Sequence, residues 1–445
     1  MTSPAGSSAS TAVATPRPTL TLADAVGIIV GIIIGAGIFK TPALIAGNVD
    51  STAMLVLAWI IGGVISLIGA LCYAELASTY PDAGGDYHFL TRAFGQRLSF
   101  LFAWGRLTVI QTGSIALLAF VFGDYVSEVL PLGPFSTAVY AALVVAGLTA
   151  LHVAGRPRTA FAQNLLTAVE ILGVLLVAFV GLFGPGAAPA TATGASNPAG
   201  FGLVMVFVLL TYGGWNEASY VSAEVRHPGR NMVRALVLSI LVVTVLYVVV
   251  NVALVRGLGL AGLAASKAPA ADLLEKMTGR ATAVVVILIV VVSTLTSINA
   301  TIFTGARSAY AVGRDFPPFR ALGHWHPGRQ APVNALIAQA SIALLLIGLG
   351  ALTRRGFETM VSYTAPIFWT FILLAGIALF ILRRREPTRP RPFQVPFYPV
   401  TPIIFCVTCV YLLYASLAYT GFGALLGVAV VGAGAIVLVL TSRAS

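Results

Sequence analysis

Apolar residues run through this chain in long, nearly uninterrupted blocks, with polar and Pro/Gly-rich residues confined to short gaps between them. About 20 consecutive apolar residues let an α-helix cross the hydrocarbon core of a bilayer, so the pattern predicts membrane helices. Reading the blocks in turn places twelve spans at 22–46, 52–78, 97–123, 135–153, 159–184, 201–225, 232–256, 281–312, 333–352, 358–384, 399–420 and 422–441. Two spans carry a built-in break: Gly35-Ala36-Gly37, followed by Ile38-Phe39, in the middle of the first, and Gly213-Gly214 in the middle of the sixth. A break at mid-depth is tolerated only where the freed amides and carbonyls face protein, water or a ligand. Paired breaks in corresponding halves of a chain point to the substrate site of a transporter.

Composition agrees with the pattern. Of 445 residues, 58% are hydrophobic and only 9% charged, against roughly 25% charged in soluble chains, so this is an all-α integral membrane protein. Nineteen of the 26 Lys and Arg residues fall on the side that carries both chain ends and seven on the other, which by the positive-inside rule puts both ends in the cytoplasm of a cell or inner membrane. The net charge of +11 does not point to nucleic acid, because the arginines are spread over separate short loops with no soluble face to gather them. The run Arg383-Arg384-Arg385 with Arg389 and Arg391 suits anionic lipid headgroups of the bilayer. Residues 1–21 are expected to form a disordered tail and 185–200 a passive external connector, both rich in small residues. Cys72, Cys406 and Cys409 lie inside spans and are read as packing residues, and the five histidines show no ligand spacing. No metal and no cofactor is expected.

A series of stretches resembles the amino acid-polyamine-organocation (APC) superfamily, nearest its L-type and related bacterial amino acid permeases. They are Gly31 through Pro42, Glu75 with Pro81 through Tyr87, Tyr212-Gly-Gly-Trp-Asn-Glu217, Glu224 through Asn231, Ser297-Ile-Asn299 with Ile302 through Arg307, and Arg391 through Pro396. The resemblance implies a LeuT-type fold of twelve transmembrane helices, with a five-helix repeat at 22–184, its inverted partner at 201–385 and two peripheral helices within 386–445. It further implies alternating access around a mid-membrane site between spans 1, 3, 6 and 8. Heavy-chain-linked members carry a cysteine in the external loop after span 3. Residues 124–134 here have none, so no disulfide-linked partner is expected.

Several residues then stand out as candidates. Unwinding at Gly35, Ala36, Gly37 and Ile38 would present backbone amides at a positive helix end, where a carboxylate is stabilised. Carbonyls ending the facing half-helices, from Ile33 and from Leu210, Thr211 and Tyr212 before Gly213, would suit an ammonium, so the two breaks together describe a zwitterion receptor. Regular glycine spacing at Gly27, Gly31 and Gly35 also fits plain helix packing. Trp215 and Asn216 follow the second break and are expected to line the site or hold the unwound segment. Leu210 stands where L-type relatives have a gating phenylalanine. Glu75 and Glu224 are read as structural ion-pair residues, and Arg106 as reaching cytoplasmic water. Glu217 either faces the vestibule or caps the restarted half-helix.

Glu170 lies near the centre of span 5, where a charged residue costs about 2.5–3.5 kcal/mol on insertion scales, and an ionisable group there is a functional candidate. Many sodium-independent relatives have a lysine at this position. Glu170 is thus a candidate for carrying a coupled proton, with sodium binding beside Ser293 and Ser297 of span 8 as the competing reading. The sequence has no nucleotide-binding loop and no nucleophile-base spacing, so an enzyme is not expected. The expected activity is secondary transport of an amino acid, by proton-coupled uptake or exchange. A polyamine or cationic amino acid is the alternative substrate, because a second amine could pair with Glu170 or Glu217.

Overall fold

The computed structural model describes residues 20–82, 84–155, 160–184, 200–329, 331–419 and 421–443. Nearly all of the expected tail and of the connector at 185–200 lies outside these residues. The first span consists of α1 (Leu22–Ile33), a 3-10 turn (Ala36–Phe39) and α2 (Thr41–Ala46). Thr21 starts α1 with a capping box: its hydroxyl accepts from the Asp24 amide, and the Asp24 carboxylate accepts from the Thr21 amide, which satisfies two orphan donors at once. Next come α3 (Thr52–Thr79) and the short α4 (Asp86–Phe94). The third span runs from α5 (Gln96–Gly105) through a π-helical segment, Arg106–Gln111, into α6 (Thr112–Val129). It is followed by α7 (Ser136–Val153) and α8 (Ala160–Phe183).

The sixth span begins as α9 (Gly200–Thr211), breaks, and resumes over Trp215–Glu224. That second half winds as a 3-10 helix and not as the α-helix expected of it. Ser219 and Ser222 each donate to the carbonyl three residues back, at 2.7 and 2.6 Å, which favours the tighter winding over the α-helical ladder. Gly214 adopts a φ of 108°, open to glycine and strained for other residues. A Cβ there would also stand 2.8 Å from Ile32 Cγ2.

The chain continues through α10 (Pro228–Leu258), α11 (Leu260–Ala265), α12 (Pro269–Thr278), α13 (Arg280–Asp315), α14 (Val333–Thr353), α15 (Gly356–Arg385), α16 (Val400–Tyr419) and α17 (Gly421–Arg443). Among the described residues, ten stretches are long and apolar enough to cross a membrane unaided. The broken first span and α8 bring the crossings to twelve. Large apolar side chains such as Leu143, Phe183, Val245, Leu345, Leu352 and Val407 are exposed around the bundle, a distribution that suits lipid and that monomeric soluble proteins avoid.

The core divides into two hydrophobic clusters. One gathers α1, α3, α9 and α10, the other α7 and α14, and α6, α13 and α15 contribute to both. At the face carrying the chain ends, buried Glu75 accepts from Arg383 and from the Val395 amide, with Arg391 at 3.6 Å. This matches the structural pairing expected of Glu75, while the side chain of Glu224 lies outside the description. On the opposite face Lys40 pairs with Asp124 at 2.7 Å, and Tyr125 donates to the Phe39 carbonyl at 2.9 Å.

Gly214→Ala should abolish transport and lower the thermal midpoint in detergent, because it meets both the left-handed backbone and Ile32. Gly27→Ala, whose Cβ would meet nothing within 4 Å, should leave both values at wild type.

Candidate functional site

The two helix breaks abut. A Cβ on Gly37 would lie 3.2 Å from Thr211 Cγ2, so glycine lets the unwound part of the first span reach the end of α9. Thr211 then donates to Thr41 Oγ1 or to the Phe207 carbonyl, both at 2.8 Å. α1 and α9 enter from opposite faces and end here, each with its carbonyl pole toward the break, while the 3-10 turn at Ala36 and the segment at Trp215 begin here with their amide poles. Buried Tyr247 of α10 ties the carbonyl ends together: its hydroxyl donates to the Ile33 carbonyl at 2.8 Å and reaches the Thr211 carbonyl at 3.3 Å.

A cavity of about 310 Å³ opens beside the breaks, at the seam between the two clusters. Of the residues singled out from sequence, Ile33, Gly35, Gly37, Leu210, Thr211, Gly213, Asn216 and Glu217 line it. Three others lie outside its wall. Ile38 is fully buried in the core. Tyr212 points away into α3, donating to the Trp59 carbonyl at 2.9 Å and stacking among Trp59 and Tyr247. Trp215 packs edge-on against Tyr73, with ring centroids 5.1 Å apart, and against Phe405 of α16, so its large ring braces the unwound segment from behind and does not line the cavity. Ala36 contributes its backbone to the turn.

Sequence reasoning missed the opposite wall. Ile110 and Gln111 from the π-helical segment, Ser114 from α6, Thr301 and Thr304 from α13, and Phe357, Thr364 and Phe368 from α15 complete the lining. The π-helical turn carries no composition signal, but it swings Ile110 and Gln111 inward, and such turns recur at functional sites. Its loosened ladder is compensated: Tyr363 donates to the Thr108 carbonyl at 2.8 Å. Gln111 crosses to α13, donating to the Thr301 carbonyl at 2.9 Å and the Thr304 hydroxyl at 3.1 Å. It also lines a second cavity, of about 210 Å³, that extends toward the face carrying the chain ends.

The charged candidates described near the cavity, Arg106, Glu217 and Glu170, are engaged. Arg106 does not reach bulk water; it is buried and forks onto Glu217 with two bonds of 3.1 and 3.0 Å. The pull of a bidentate carboxylate in a region of low dielectric outweighs the gain from extending to the surface. Glu170 is only 3% exposed, accepts from the Ser293 hydroxyl of α13, and lies outside the cavity wall. Its helix packs against α10 and α13, and α13 also contacts the 3-10 turn of the first span. Ser297 lies one turn further along α13, half-buried, its carbonyl accepting from Thr301. Asn299 pairs with His152 of α7 at 2.8 Å.

Two broken helices facing each other across a mid-membrane cavity, between two packed bodies, define a transporter of the broken-helix class. The chain belongs to the amino acid permease family, whose model matches residues 20–440. It is 32% identical over 411 residues to the large neutral amino acids transporter small subunit 2 of Mus musculus, covering 89% of this chain and 76% of that one. It is 30% identical over 406 residues to the b(0,+)-type amino acid transporter 1 of Rattus norvegicus, covering 89% and 82%, and 28% identical over 421 residues to the cystine/glutamate transporter of Pongo abelii, covering 92% and 82%. The protein is a multi-pass membrane transporter for amino acids and not an enzyme.

Tyr247→Phe should remove one of the two donors to the Ile33 carbonyl, which keeps the Gly35 amide at 2.8 Å, together with the hydroxyl that reaches the Thr211 carbonyl, at a cost of about 0.5–1.5 kcal/mol for a lost hydrogen bond. The thermal midpoint in detergent should fall and substrate binding should weaken, with the protein still inserted in the membrane.

Proposed function

We propose that this chain carries neutral amino acids across the cell membrane by alternating access, with both chain ends in the cytoplasm. One observation supports the choice of substrate most directly: among the described residues lining the cavity, Glu217 is the one ionisable side chain, and Arg106 already holds it. A zwitterion can then be received by backbone alone, its carboxylate at the amide end of the turn Ala36–Phe39 and its ammonium at the carbonyl end of α9, where Tyr247 reaches Thr211 only at 3.3 Å. Nothing on the wall is left for a second amine, which disfavours polyamines and cationic amino acids. The substrate side chain would meet Ile110, Leu117, Leu118, Leu210 and Phe368, with Gln111 and Ser114 as polar neighbours.

The excess of arginine on the face carrying the chain ends supports its cytoplasmic placement. The two hydrophobic clusters, each drawing helices from both of the repeats 22–184 and 201–385, supply bodies that can rock about the cavity, with 386–445 peripheral. The segment between α6 and α7 has no cysteine, so this reading includes no disulfide-linked partner. Counterflow in proteoliposomes tests the substrate class: neutral amino acids should exchange with the loaded substrate, and arginine, lysine and putrescine should not. Faster exchange of the cationic set would overturn it. Leu210→Phe enlarges a side chain on the cavity wall and should cut counterflow of bulky neutral amino acids about tenfold while sparing alanine; an unchanged profile would remove Leu210 from the pocket.

Glu170 is the proposed coupling group, with Ser293 as its partner and Ser297 beside it. A proton taken up there would neutralise the Glu170 carboxylate within the membrane, between α8 and α13. In sodium-free proteoliposomes uptake should rise with an inward proton gradient, and Glu170→Gln should abolish that rise while exchange survives. A requirement for sodium at every pH would transfer the role to sodium, and a variant with wild-type dependence on both ions would leave Glu170 structural.

A further inference from the structure

Beneath the main cavity lies a second buried carboxylate that the transport reading leaves unused. Asp86 opens α4 and is 4% exposed, and its Oδ1 has no hydrogen-bond partner among the described residues. Its carboxyl is within reach of the Tyr73 hydroxyl from α3 and of Asn216, which itself lines the main cavity, and it feels the charges of Glu217 and Arg106. On the other side Gly84 and Tyr87, which flank it in the chain, line the second cavity together with Arg106. Asp86 therefore sits in the partition between the two cavities.

The charges of that partition do not balance when every carboxyl is ionised. Asp86 and Glu217 are two carboxylates facing one guanidinium, Arg106. The other charged groups around α4 are engaged elsewhere, and Arg307 of α13, across the second cavity, lies over the Phe303 ring. Arg92 pairs with Glu386, His88 faces Asp82 at 3.6 Å, Tyr87 donates to Asp315 of α13, and Arg97 at the start of α5 is exposed. From α15, Arg383 is held by Glu75 and Arg385 donates to the Ala93 carbonyl. A buried site with a surplus negative charge is costly, and one added proton makes the triad neutral. Arg106 forks onto Glu217, so the proton falls to Asp86.

We propose that Asp86, with Arg106 and Glu217, is a proton-binding site whose occupancy keeps the inner partition shut, and whose deprotonation accompanies opening toward the cytoplasm. The carboxyl O–H breaks, the proton passes to water entering the second cavity, and the carboxylate is stabilised by that water once the partition parts. Burial pushes the Asp86 carboxyl up to about 7, with Glu217 adding to the rise and Tyr73, Arg106 and Asn216 opposing it. Its charge in the closed state thus changes across the cytoplasmic range. Because the closed state binds the proton more tightly, the open fraction rises with pH, by up to about tenfold per unit for one proton. This inference rests on the transport reading only for the sidedness of the membrane.

The test reads accessibility, with no substrate gradient. Ser308 lines the second cavity; Ser308→Cys is made in a chain whose Cys72, Cys406 and Cys409 are replaced by serine. It is labelled in inside-out vesicles with a membrane-impermeant maleimide between pH 5.5 and 8, and each rate is divided by that of the denatured protein at the same pH to remove thiol chemistry. The corrected rate should climb at least threefold, and Asp86→Asn should hold it low and flat while still binding substrate. Glu217→Gln, which leaves Arg106 to Asp86, should move the rise to lower pH. A flat corrected profile in the parent chain, or the same rise persisting in Asp86→Asn, would overturn the proposal. Failure of substrate counterflow with the pH rise intact would instead count against the transport reading alone.

Discussion

Inside a bilayer no water is available to complete an open backbone hydrogen bond, so two interrupted helices at the same depth must either complete each other or bind something. Most features of this molecule answer that demand. Gly37 and Gly214 permit the close approach of the broken spans, Thr211 bonds to Thr41, and Tyr247 spends its one hydroxyl on the carbonyl ends of both. What is left at the break is a pair of helix poles of opposite sign facing one cavity. A zwitterion matches them without any formal charge being buried on the protein's side, which avoids the desolvation that an ionic receptor would incur.

The charged residues near the site are arranged to stay out of that recognition. Arg106 and Glu217 cancel each other at the cavity floor, and Glu170 is turned to Ser293 behind the wall. The proposed division of labour is backbone for the zwitterion, apolar side chains for the substrate's own side chain, and carboxyls set apart from it for ions. The same geometry divides the core, since the cavity lies on the seam between the two hydrophobic clusters. In the proposed alternating access, movement of one body against the other would remodel the site, with α6, α13 and α15 linking the two cores.

Much of this was legible in the chain. Apolar blocks announced the spans, and Gly35 through Gly37 and Gly213-Gly214 announced the breaks, because each is a local signal of length or backbone freedom. Tyr247 was not legible: its hydroxyl meets a carbonyl 214 residues away, and one tyrosine in an apolar helix carries no mark of that. The ion pair of Arg106 and Glu217 likewise joins residues 111 apart, so Arg106 read as a surface-seeking side chain. Trp215 was drawn into the site by proximity in sequence, yet at a helix break consecutive residues point in divergent directions, and its large ring went to the core. The π-helical turn that brings in Gln111 left no trace in the residue pattern.

The central claim is that backbone poles receive both ends of an amino acid. Its most direct measurement is competition in counterflow by analogues that each lack one end: the decarboxylated amine and the deaminated acid of a neutral substrate, beside the intact molecule. The account predicts that only the intact zwitterion competes and that each truncated analogue is weaker by at least a hundredfold, about 2.7 kcal/mol. An amine or an acid that competes as well as the parent amino acid would contradict it.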